Sequence, residues 1–460
     1  MNNFVNLKTY NIHTFGCQMN VHESEKVAGV LESFGLKSID DHQTADVVVV
    51  NSCAIRESAE KKIESFIGNL KNPKSTGNVK KIIVFGCMTQ QNDRANSLYK
   101  KFPFIDIIMG THNLSNFKTL FEKNLKTNKT IIEILPERTG KDIEQIYRTS
   151  GTNAWVNIMH GCNNFCSYCI VPYVRGREVS RPKEEIIDEV QKLLNSGYKQ
   201  ITLLGQNVNS YGNDIEDKNI NFANLLKEID NLKIVSNNNE KEDNKFRIRF
   251  MTSHPKDLSD EVIMAIKNSK HICHSIHLPV QSGSTKILNA MNRRYTREHY
   301  LNLVDKIKKE LPDAELTTDI IVGFPGETEE DFKDTLTLIE KCQFQQIFGF
   351  IYSKRRGTVA EKHENHIPLE IKKKRLSILI EKEREIASEI SKKYVGQILE
   401  ILVEDVKDKT LIGSTDFNKN INVKLSNTCN LDPTNYIGKF VKVKVNGSKL
   451  TVLTDCTLVE

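Results

Sequence analysis

The sequence contains few of the features that place a protein in a membrane or outside the cell. None of its apolar runs approaches the roughly 18 to 20 residues that a transmembrane helix needs. The opening stretch MNNFVNLKTY lacks the apolar segment of a secretory signal. Neither sign of charge is in large excess, because 65 basic and 59 acidic residues leave a formal net charge of only +6. We therefore expect a cytoplasmic protein with no membrane association.

Size and composition are those of an ordinary globular protein. The 460 residues are enough for about three domains of ~150 residues each. The small net charge is compatible with a nucleic-acid partner but does not require one, because dedicated binders concentrate basic residues in a patch. In a reducing compartment, the ten cysteines are better explained as metal ligands or core thiols than as disulfides.

The first region, residues 8–125, alternates short β-branched runs with stretches of helical periodicity. The predicted strands are 10–17, 45–53 and 81–87, and the predicted helices are 24–34 and 57–70. Such alternation predicts an open parallel α/β domain. Residues 126–147, which include Thr139-Gly140-Lys141, have few apolar runs and are predicted to be a linker.

A second βα series occupies residues 148–385 and predicts an incomplete, open (βα)6 barrel. Its predicted strands are 154–160, 200–206, 246–252, 274–280, 315–322 and 345–351. Its clearest helices are 183–195, 258–268, 297–310 and 328–341. The polar stretch Ser236–Lys245 is expected to be an exposed excursion before the third strand.

The last region begins with a charged helical stretch at residues 367–393. Five short strands are then predicted within 394–458, which suggests a small antiparallel β-barrel, a shape that many RNA-binding proteins use. Residues 394–460 contain eight lysines and eight acidic residues, so a capping domain without a ligand remains an alternative.

Three cysteines follow the spacing C-x3-C-x2-C directly after a predicted strand. They are Cys162, Cys166 and Cys169. Three thiolates in so short a loop can hold three irons of a [4Fe–4S] cluster and leave the fourth iron open for another ligand. Structural zinc would need a fourth protein ligand, and His160 lies too close on the strand side to be an obvious one. A zinc knuckle and chance clustering are the alternatives.

A second set of cysteines stands at the ends of the three strands predicted in the first region. They are Cys17, Cys53 and Cys87, each preceded by glycine or serine. Because the carboxyl ends of strands in an open α/β sheet line one crevice, these thiols can converge on a second cluster. The alternative is that cysteine serves here as a small apolar residue. The four other cysteines, Cys273, Cys342, Cys429 and Cys456, are expected to be core thiols.

With both cysteine sets in view, the chain resembles the methylthiotransferase family of radical S-adenosylmethionine enzymes along almost its whole length. The motifs that carry the resemblance are GCQMN at 16–20, NSC at 51–53, FGC at 85–87, NIMHGC at 157–162, MTSHP at 251–255, LPVQSGS at 278–284 and DIIVGFPGE at 319–327. The loop GQNVNSYG at 205–212 looks like the branch that acts on N6-dimethylallyladenosine at position 37 of tRNA. Branches acting on a ribosomal-protein aspartate or on threonylcarbamoyl-adenosine are the alternatives, as is a non-catalytic, metal-bearing RNA-binding protein.

The resemblance implies that a methylthio group replaces the hydrogen on C2 of the adenine. It implies two [4Fe–4S] clusters, S-adenosylmethionine as methyl donor and radical source, and no catalytic side chain beyond the cluster ligands. It also implies a TRAM-like RNA-binding domain at 394–458 and the tRNA anticodon loop as partner. An electron donor such as flavodoxin or ferredoxin, a sulfur source and a monomeric state complete the expectation.

Contacts to cofactor and substrate are predicted from positions after barrel strands, where barrel sites form. The predicted cofactor-binding residues are Tyr168, Gly205, Gln206, Asn207, Gln281, Ser282, Gly323, Pro325 and Gly326. The residues predicted to meet RNA phosphates are Arg175, Arg177 and Arg181, with a solvated basic face as the alternative. For Asn207 and Gln281, ordinary turn capping is the alternative. Arg356 and Val27 depart from residues common in the family, and neither is a predicted cluster ligand.

Overall fold

A computed structural model of the chain describes residues 7–54, 57–138, 143, 146–148, 151–234, 244–425 and 432–459. Thr139-Gly140-Lys141, Cys429 and all but the last two residues of the predicted excursion lie outside the described residues. The chain divides into two compact units. The first comprises 1–149, 160–163 and 169–178, and the second comprises 150–159, 164–168 and 179–460.

The first unit is built on one six-stranded, entirely parallel sheet. Its strands are β1 (Thr9–Thr14), β2 (Lys37–Ser38), β3 (Val47–Ser52), β4 (Lys81–Gly86), β5 (Ile107–Gly110) and β6 (Ile131–Glu133). Its helices are α1 (Gln18–Ser33), α2 (Glu57–Asn69), α3 (Lys71–Ser75), α4 (Asn92–Lys101), α5 (Phe117–Thr127) and α6 (Val171–Arg175). The sheet order is β2-β1-β3-β4-β5-β6, which confirms the predicted open parallel α/β domain.

The central strands β3 and β4 form the buried core of this sheet. β3 (VVVVNS) and β4 (KIIVFG) are buried at every position, as expected of parallel strands covered on both faces. Alternate residues face two separate apolar clusters, so that Val47 and Val49 pack on one side while Val48 and Val50 pack on the other. Apolar layers therefore cover both faces of these strands.

Part of the predicted linker belongs to this sheet. Within residues 126–147, the segment Ile131–Glu133 forms β6 and pairs in parallel with β5. Its two consecutive isoleucines are too few to show a strand periodicity in the sequence. Pairing with an existing sheet edge supplies the stability that the short segment cannot supply alone.

The second unit begins with the predicted barrel. The strands up to residue 351 are β7 (Asn153–Asn157), β8 (Met159–His160), β9 (Val179–Ser180), β10 (Gln200–Leu204), β11 (Arg247–Phe250), β12 (Ser275–His277), β13 (Glu315–Val322) and β14 (Gln346–Ile351). The helices are α7 (Lys183–Asn195), α8 (Phe222–Asp230), α9 (Asp260–Lys267), α10 (Thr285–Ala290), α11 (Arg297–Glu310), α12 (Glu329–Cys342) and α13 (Leu369–Lys392). α8 and α10 were not predicted, whereas α7, α9, α11 and α12 begin and end within two residues of their predicted bounds.

Six parallel strands of this unit form the open barrel sheet. Strands β7, β10 and β11 pair as one group, and β12, β13 and β14 pair as another. A parallel bridge between Ile248 and Ile272 joins the two groups. The strand order therefore follows the chain order, which confirms the incomplete (βα)6 architecture.

The end of the chain forms an antiparallel β-structure, as predicted. Its strands are β15 (Ile398–Lys407), β16 (Thr410–Ser414), β17 (Asn420–Lys424), β18 (Phe440–Lys444), β19 (Gly447–Lys449), β20 (Val452–Thr454) and β21 (Thr457–Leu458). The five-stranded sheet has the order β17-β16-β15-β18-β21. Arg247 Nη1 donates to the Ser414 carbonyl at 2.6 Å, and Arg249 Nη1 donates to that of Asp416 at 2.7 Å. These hydrogen bonds join β11 of the barrel to the terminal sheet.

The fold also bears on the predictions about membrane-spanning helices and about the single cysteines. Within the described residues, no helix combines the length and the apolar character that crossing a bilayer would require. Cys273, Cys342 and Cys456 are buried, and the last two belong to the apolar clusters of the barrel and of the terminal sheet.

Candidate functional site

The cysteines Cys17, Cys53 and Cys87 lie at one edge of the first sheet. They follow β1, β3 and β4, which are neighbours in that sheet. Thr14 pairs with Asn51, and Ser52 pairs with Gly86, so the three strands end at nearly the same level. Adjacent parallel strands that end together bring the residues after them into one crevice.

The glycines before two of these cysteines are required by close backbone approach. Gly86 has φ +117°, and a Cβ atom there would lie 2.3 Å from the Ser52 carbonyl oxygen. Gly16 has φ +128°, and a Cβ atom there would lie 3.1 Å from Cys53 Cβ. Both conformations are unfavourable for residues with a side chain, so glycine allows the chain to turn sharply just before the thiol.

A buried pair of asparagines connects the first two turns. Asn51 Nδ2 donates to the Asn20 carbonyl at 2.7 Å, and Asn20 Nδ2 donates to Asn51 Oδ1 at 2.8 Å. Cys17 Sγ lies 3.4 Å from Asn20 Oδ1 and is positioned to donate to it. Both asparagines are fully buried, and their mutual hydrogen bonds hold the start of α1 against the end of β3.

Arg175 is one of the arginines predicted to meet RNA phosphates. Its guanidinium is buried and forms a two-pronged ion pair with Glu23, with Nη1–Oε1 at 2.6 Å and Nη2–Oε2 at 3.1 Å. The guanidinium is thus engaged inside the first unit, and contact with an RNA phosphate stays a prediction. Charges on Cys87, Glu23 and Cys17 keep the pKa of Arg175 high against the effect of its burial. Arg175 therefore places a permanent positive charge beside the first cysteine set.

Burial controls the state of the Cys87 thiol. Burial raises the pKa of Cys87 to about 12, Arg175 opposes the rise, and Cys53 and Cys17 add to it. Cys87 therefore stays protonated at neutral pH until a metal replaces its proton.

The donor set suits a cluster better than a single ion. In the part of the chain that the structure describes, no three histidine, cysteine or acidic side chains come close enough to hold one metal ion. A [4Fe–4S] cluster binds each thiolate at a different iron, so its ligands need not converge on one point. Soft thiolates are the donors that iron–sulfur clusters prefer. By donor chemistry Cys17, Cys53 and Cys87 suit an iron–sulfur cluster, and a second cluster held by them stays a prediction.

The C-x3-C-x2-C loop contributes to both units. Cys162 and Cys169 belong to the first unit and Cys166 to the second. In the first unit, Cys162 N donates to the Gly176 carbonyl at 3.1 Å. Ile170 and Val174, which follow Cys169, pack with Ala54 and Cys87 in one apolar cluster. The segment after Cys169 thus covers a thiol of the first cysteine set.

In the second unit, residues after α10 hold the middle of the loop. Ser167 N donates to the Met291 carbonyl at 2.9 Å, and Asn292 Nδ2 donates to that of Phe165 at 2.9 Å. Arg293 Nη1 donates to Cys166 Sγ at 3.4 Å. These contacts fix the backbone on both sides of Cys166.

Tyr168 packs against an apolar cluster that contains Phe324. Phe324 lies in the turn with Gly323, Pro325 and Gly326, so these predicted cofactor-binding residues are neighbours in the second unit. Gly323 N donates to the buried Glu327 carboxylate, which also pairs with Arg375 at 2.9 Å. The ion pair holds the turn after β13 in place.

Buried polar atoms without a hydrogen-bond partner mark the ends of β10 and β11. They are Gln206 Oε1, Asn207 Oδ1, Asn209 Nδ2, Ser253 Oγ and His254 Nε2. A buried polar group left without a partner costs about 1–3 kcal/mol, so five together indicate a site for a polar ligand. S-adenosylmethionine, with its amino, carboxylate and adenine groups, offers the hydrogen-bonding partners that these atoms require.

The backbone is strained at the same edge of the barrel. Thr252, just after β11, has φ +69°, and Gln281, after β12, has φ +71°. Such conformations cost on the order of 1–3 kcal/mol for non-glycine residues and are concentrated at functional sites. Gln281 N donates to the Asp319 carbonyl at 2.9 Å, and Ser282 is buried. The predicted roles of Gly205, Gln281 and Ser282 in cofactor binding stay predictions.

The other two arginines predicted to meet RNA phosphates, Arg177 and Arg181, differ in their surroundings. Arg181 Nη1 donates to the Asn157 carbonyl at 2.5 Å and pairs with Glu189 at 2.8 Å, so its charge is engaged inside the second unit. Arg177 is exposed in the first unit. An RNA contact therefore stays a prediction for Arg177, while Arg181 is better explained as a structural residue.

Several residues of the site were missed by sequence reasoning. Glu23 and Arg293 gave no signal, because a single charged residue in a helical or turn segment is usually exposed. Asn20, Ser253 and His254 lie inside motifs that carry the family resemblance. The sequence therefore marked these residues, but no role was predicted for them. Only burial in the structure distinguishes Asn20, Ser253 and His254 from other residues of the same motifs.

Comparison with known proteins agrees with this geometry. Three family models match: "Uncharacterized protein family UPF0004" over residues 9–110, "Radical SAM superfamily" over 156–339 and "TRAM domain" over 392–454. The chain is 48% identical over 442 residues to the tRNA-2-methylthio-N(6)-dimethylallyladenosine synthase of Caldicellulosiruptor saccharolyticus, covering 95% of this chain and 90% of the relative. The enzyme of the same name from Carboxydothermus hydrogenoformans is 47% identical over 449 residues, covering 96% and 98%. The chain belongs to the tRNA-2-methylthio-N6-dimethylallyladenosine synthase family.

The fold alone is also similar to a solved structure of lower identity. This is the radical S-adenosylmethionine methyltransferase TsrM from Kitasatospora setae, with a TM-score of 0.54, 14% identity and coverage of 94% of this chain and 81% of that one. Within the synthase family, the first family model spans Cys17, Cys53 and Cys87. The radical S-adenosylmethionine model spans the loop from Cys162 to Cys169. Membership thus implies S-adenosylmethionine and a [4Fe–4S] cluster.

The ion pair of Arg175 and Glu23 leads to a stability prediction. Arg175→Met leaves the Glu23 carboxylate buried and uncompensated, and we expect the free energy of unfolding to fall by about 3–5 kcal/mol. The double variant Arg175→Met/Glu23→Leu should recover most of that loss, because an apolar pair replaces both charges. Urea unfolding of the metal-free protein compares both variants with the wild type. A loss below about 1 kcal/mol for Arg175→Met would contradict the buried pairing.

His254 leads to a pH prediction. Burial, followed by the charges of Arg293, Lys256 and Arg294, lowers the pKa of His254 to about 2. The unfolded chain therefore binds a proton below its ordinary pKa of ~6.5 that the folded chain does not bind, so stability falls as pH falls. From pH 6.5 to 5.5 this residue should cost about 1 kcal/mol. Urea unfolding should show that His254→Gln loses less stability than the wild type over this interval, and equal losses would refute the assignment.

Proposed function

We propose that the protein is a tRNA methylthiotransferase, which replaces the hydrogen on C2 of N6-dimethylallyladenosine at position 37 with a methylthio group. The observation that carries the proposal is identity of 46–48% to relatives named for this activity over nearly the whole chain. The two cysteine sets and the parallel barrel support the same conclusion, because such a C–H bond is not acidic and its replacement requires radical chemistry supplied by cofactors.

Two clusters would be held by the two cysteine sets. Cys162, Cys166 and Cys169 would hold the cluster that binds S-adenosylmethionine, and Cys17, Cys53 and Cys87 would hold the second. When bound, these groups supply the electron, the radical and the sulfur of the reaction. The chain's own residues position and shield them.

Shielding and positioning can be assigned to particular residues. Ile170 and Val174 cover Cys87 and exclude water from that thiol. The Asn20–Asn51 pair fixes the turn that presents Cys17. At the barrel edge, Asn207 and His254 offer their unpartnered polar atoms to S-adenosylmethionine. Gly205 makes room for Met159, because a Cβ atom there would lie 2.7 Å from Met159 Cγ. At neutral pH, burial keeps His254 uncharged, so it can act as a neutral hydrogen-bonding group.

The tRNA would contact the exposed Arg177 and the terminal β-structure. The match of residues 392–454 to the TRAM domain supports an RNA-binding role for that part of the chain. A one-electron donor, such as flavodoxin or ferredoxin, and a sulfur source are further partners that the chemistry requires. We place the protein in the cytoplasm as a monomer, since a reducing compartment keeps the cluster thiols available.

Variants of single cysteines test the two-cluster assignment. Anaerobically reconstituted wild-type protein should contain about eight irons, and Cys53→Ala about four. Cys53→Ala should still release some 5′-deoxyadenosine from S-adenosylmethionine after reduction but form no methylthio product. Cys166→Ala should lose both activities.

The matched control for these variants is Cys273→Ala, which removes a buried thiol outside both sets. It should keep about eight irons and both activities. Loss of 5′-deoxyadenosine release in Cys53→Ala as complete as in Cys166→Ala would contradict separate cluster roles. A colourless, zinc-containing wild-type protein would refute cluster binding altogether.

Nucleoside analysis tests the substrate. In a strain that lacks the gene, 2-methylthio-N6-dimethylallyladenosine should disappear from tRNA hydrolysates, and unmodified N6-dimethylallyladenosine should accumulate. Liquid chromatography with mass spectrometry measures both nucleosides, and threonylcarbamoyl-adenosine derivatives in the same sample serve as the internal control. Persistence of the methylthio nucleoside would refute this substrate, whereas loss of a threonylcarbamoyl derivative would favour another branch of the family.

A further inference from the structure

Arg293 is a buried arginine whose charge is not balanced by a carboxylate from the part of the chain that the structure describes. The residue is 4% exposed, and no aspartate or glutamate among the described residues lies within ion-pair distance of its guanidinium. Its hydrogen bonds run to Tyr295 Oη at 3.0 Å, to the Pro279 carbonyl at 2.7 Å and to Cys166 Sγ at 3.4 Å. Arginine does not lose its proton in proteins, so the positive charge is permanent.

Other buried or half-buried arginines of the chain are paired differently. Arg175 pairs with Glu23, Arg375 with Glu327 and Arg181 with Glu189. An ion buried without a counter-charge costs several kcal/mol in a folded protein. The partners of Arg293 are a phenol, a carbonyl and a sulfur, and of these only the sulfur becomes a full anion when it binds metal. The site is therefore built for negative charge at Cys166.

The guanidinium is also held in a fixed orientation. Tyr295 Oη accepts from Arg293 Nε and donates to the Val280 carbonyl at 2.9 Å. The neighbouring Asn292 and Met291 bind the backbone of the cysteine loop at Phe165 and Ser167. The segment 291–295 thus fixes both the Arg293 guanidinium and the backbone around Cys166. Hydrogen bonds on both sides therefore hold Arg293 and Cys166 in contact.

We propose that Arg293 is a positioning residue that donates a charge-assisted hydrogen bond to the Cys166 ligand and raises the reduction potential of the cluster held there. The inference rests on the proposed function, because it requires a four-iron cluster on Cys166. A reduced cluster has one more negative charge than an oxidised one, so a nearby positive charge stabilises the reduced form more. Hydrogen bonds to cluster sulfurs are among the factors that set such potentials.

The potential is measured in the background of Cys53→Ala, so that one cluster remains. Redox titration of the anaerobically reconstituted protein, followed by electron paramagnetic resonance, compares Arg293→Gln and Arg293→Lys with the parent. At a fixed potential, the ratio of reduced to oxidised cluster should fall about tenfold in Arg293→Gln, which is ~59 mV for a one-electron couple. Arg293→Lys, which keeps the charge, should lie between the two.

The matched control is Arg294→Gln, because Arg294 is adjacent in the chain and exposed. It should leave the potential unchanged. A parental potential in iron-loaded Arg293→Gln would overturn the inference, as would weaker S-adenosylmethionine binding at an unchanged potential. If Arg293→Gln does not retain iron, Arg293→Lys decides. A potential of Arg293→Lys below the parental one supports the proposal, and either a parental potential or failure of this variant also to retain iron overturns it in favour of a purely structural role.

The two proposals fail in different ways. Failure of the proposed function would appear in the wild type, as a protein without four-iron clusters or without methylthio product. Failure of the Arg293 inference would appear only in the variants, while the wild type still contains both clusters.

Discussion

The parallel pairing of β1, β3 and β4 is the constraint on which the first cysteine set depends. Backbone hydrogen bonds place Thr14 beside Asn51 and Ser52 beside Gly86, so that the three chains leave the sheet together. Val47 to Val50 pack alternately on two apolar clusters. Four consecutive valines suit either face, so the pairing with β1 and β4, rather than the apolar pattern alone, sets the level at which β3 ends. The three cysteines therefore follow strands that end at nearly the same level, which places them at the same end of the sheet.

Charge balance is achieved differently at the two cysteine sets. Beside Cys87, the positive Arg175 is matched by Glu23, so the surroundings are close to neutral before any metal binds. Beside Cys166, Arg293 has no carboxylate partner in the described part of the chain. A metal-bound thiolate would supply the missing negative charge there. Binding of a cluster should therefore stabilise the surroundings of Cys166 more than those of Cys87.

Much of the fold could be predicted because it rests on local patterns. Buried runs such as those of β3 and β4, and amphipathic helices such as α7 and α11, have periodicities that the sequence displays. β6 and α10 were missed, since three and six residues are too few for a period to show. The burial of Arg175 was not predicted, because RGRE at 175–178 looks like a basic, solvated turn. Neither its burial nor its carboxylate partner is visible in the neighbouring sequence.

By itself, the sequence determined the chemistry that is available: three thiols in a C-x3-C-x2-C loop, three more at strand ends, and motifs shared with one enzyme family. Only the tertiary structure decided which polar groups are buried and which of them have partners. Glu23 and Arg175 are 152 residues apart in the chain, and Cys166 and Arg293 are 127 apart. Burial and charge pairing are properties of such distant contacts. Local spacing fixes which residues can act, while packing fixes the electrostatic surroundings in which they act.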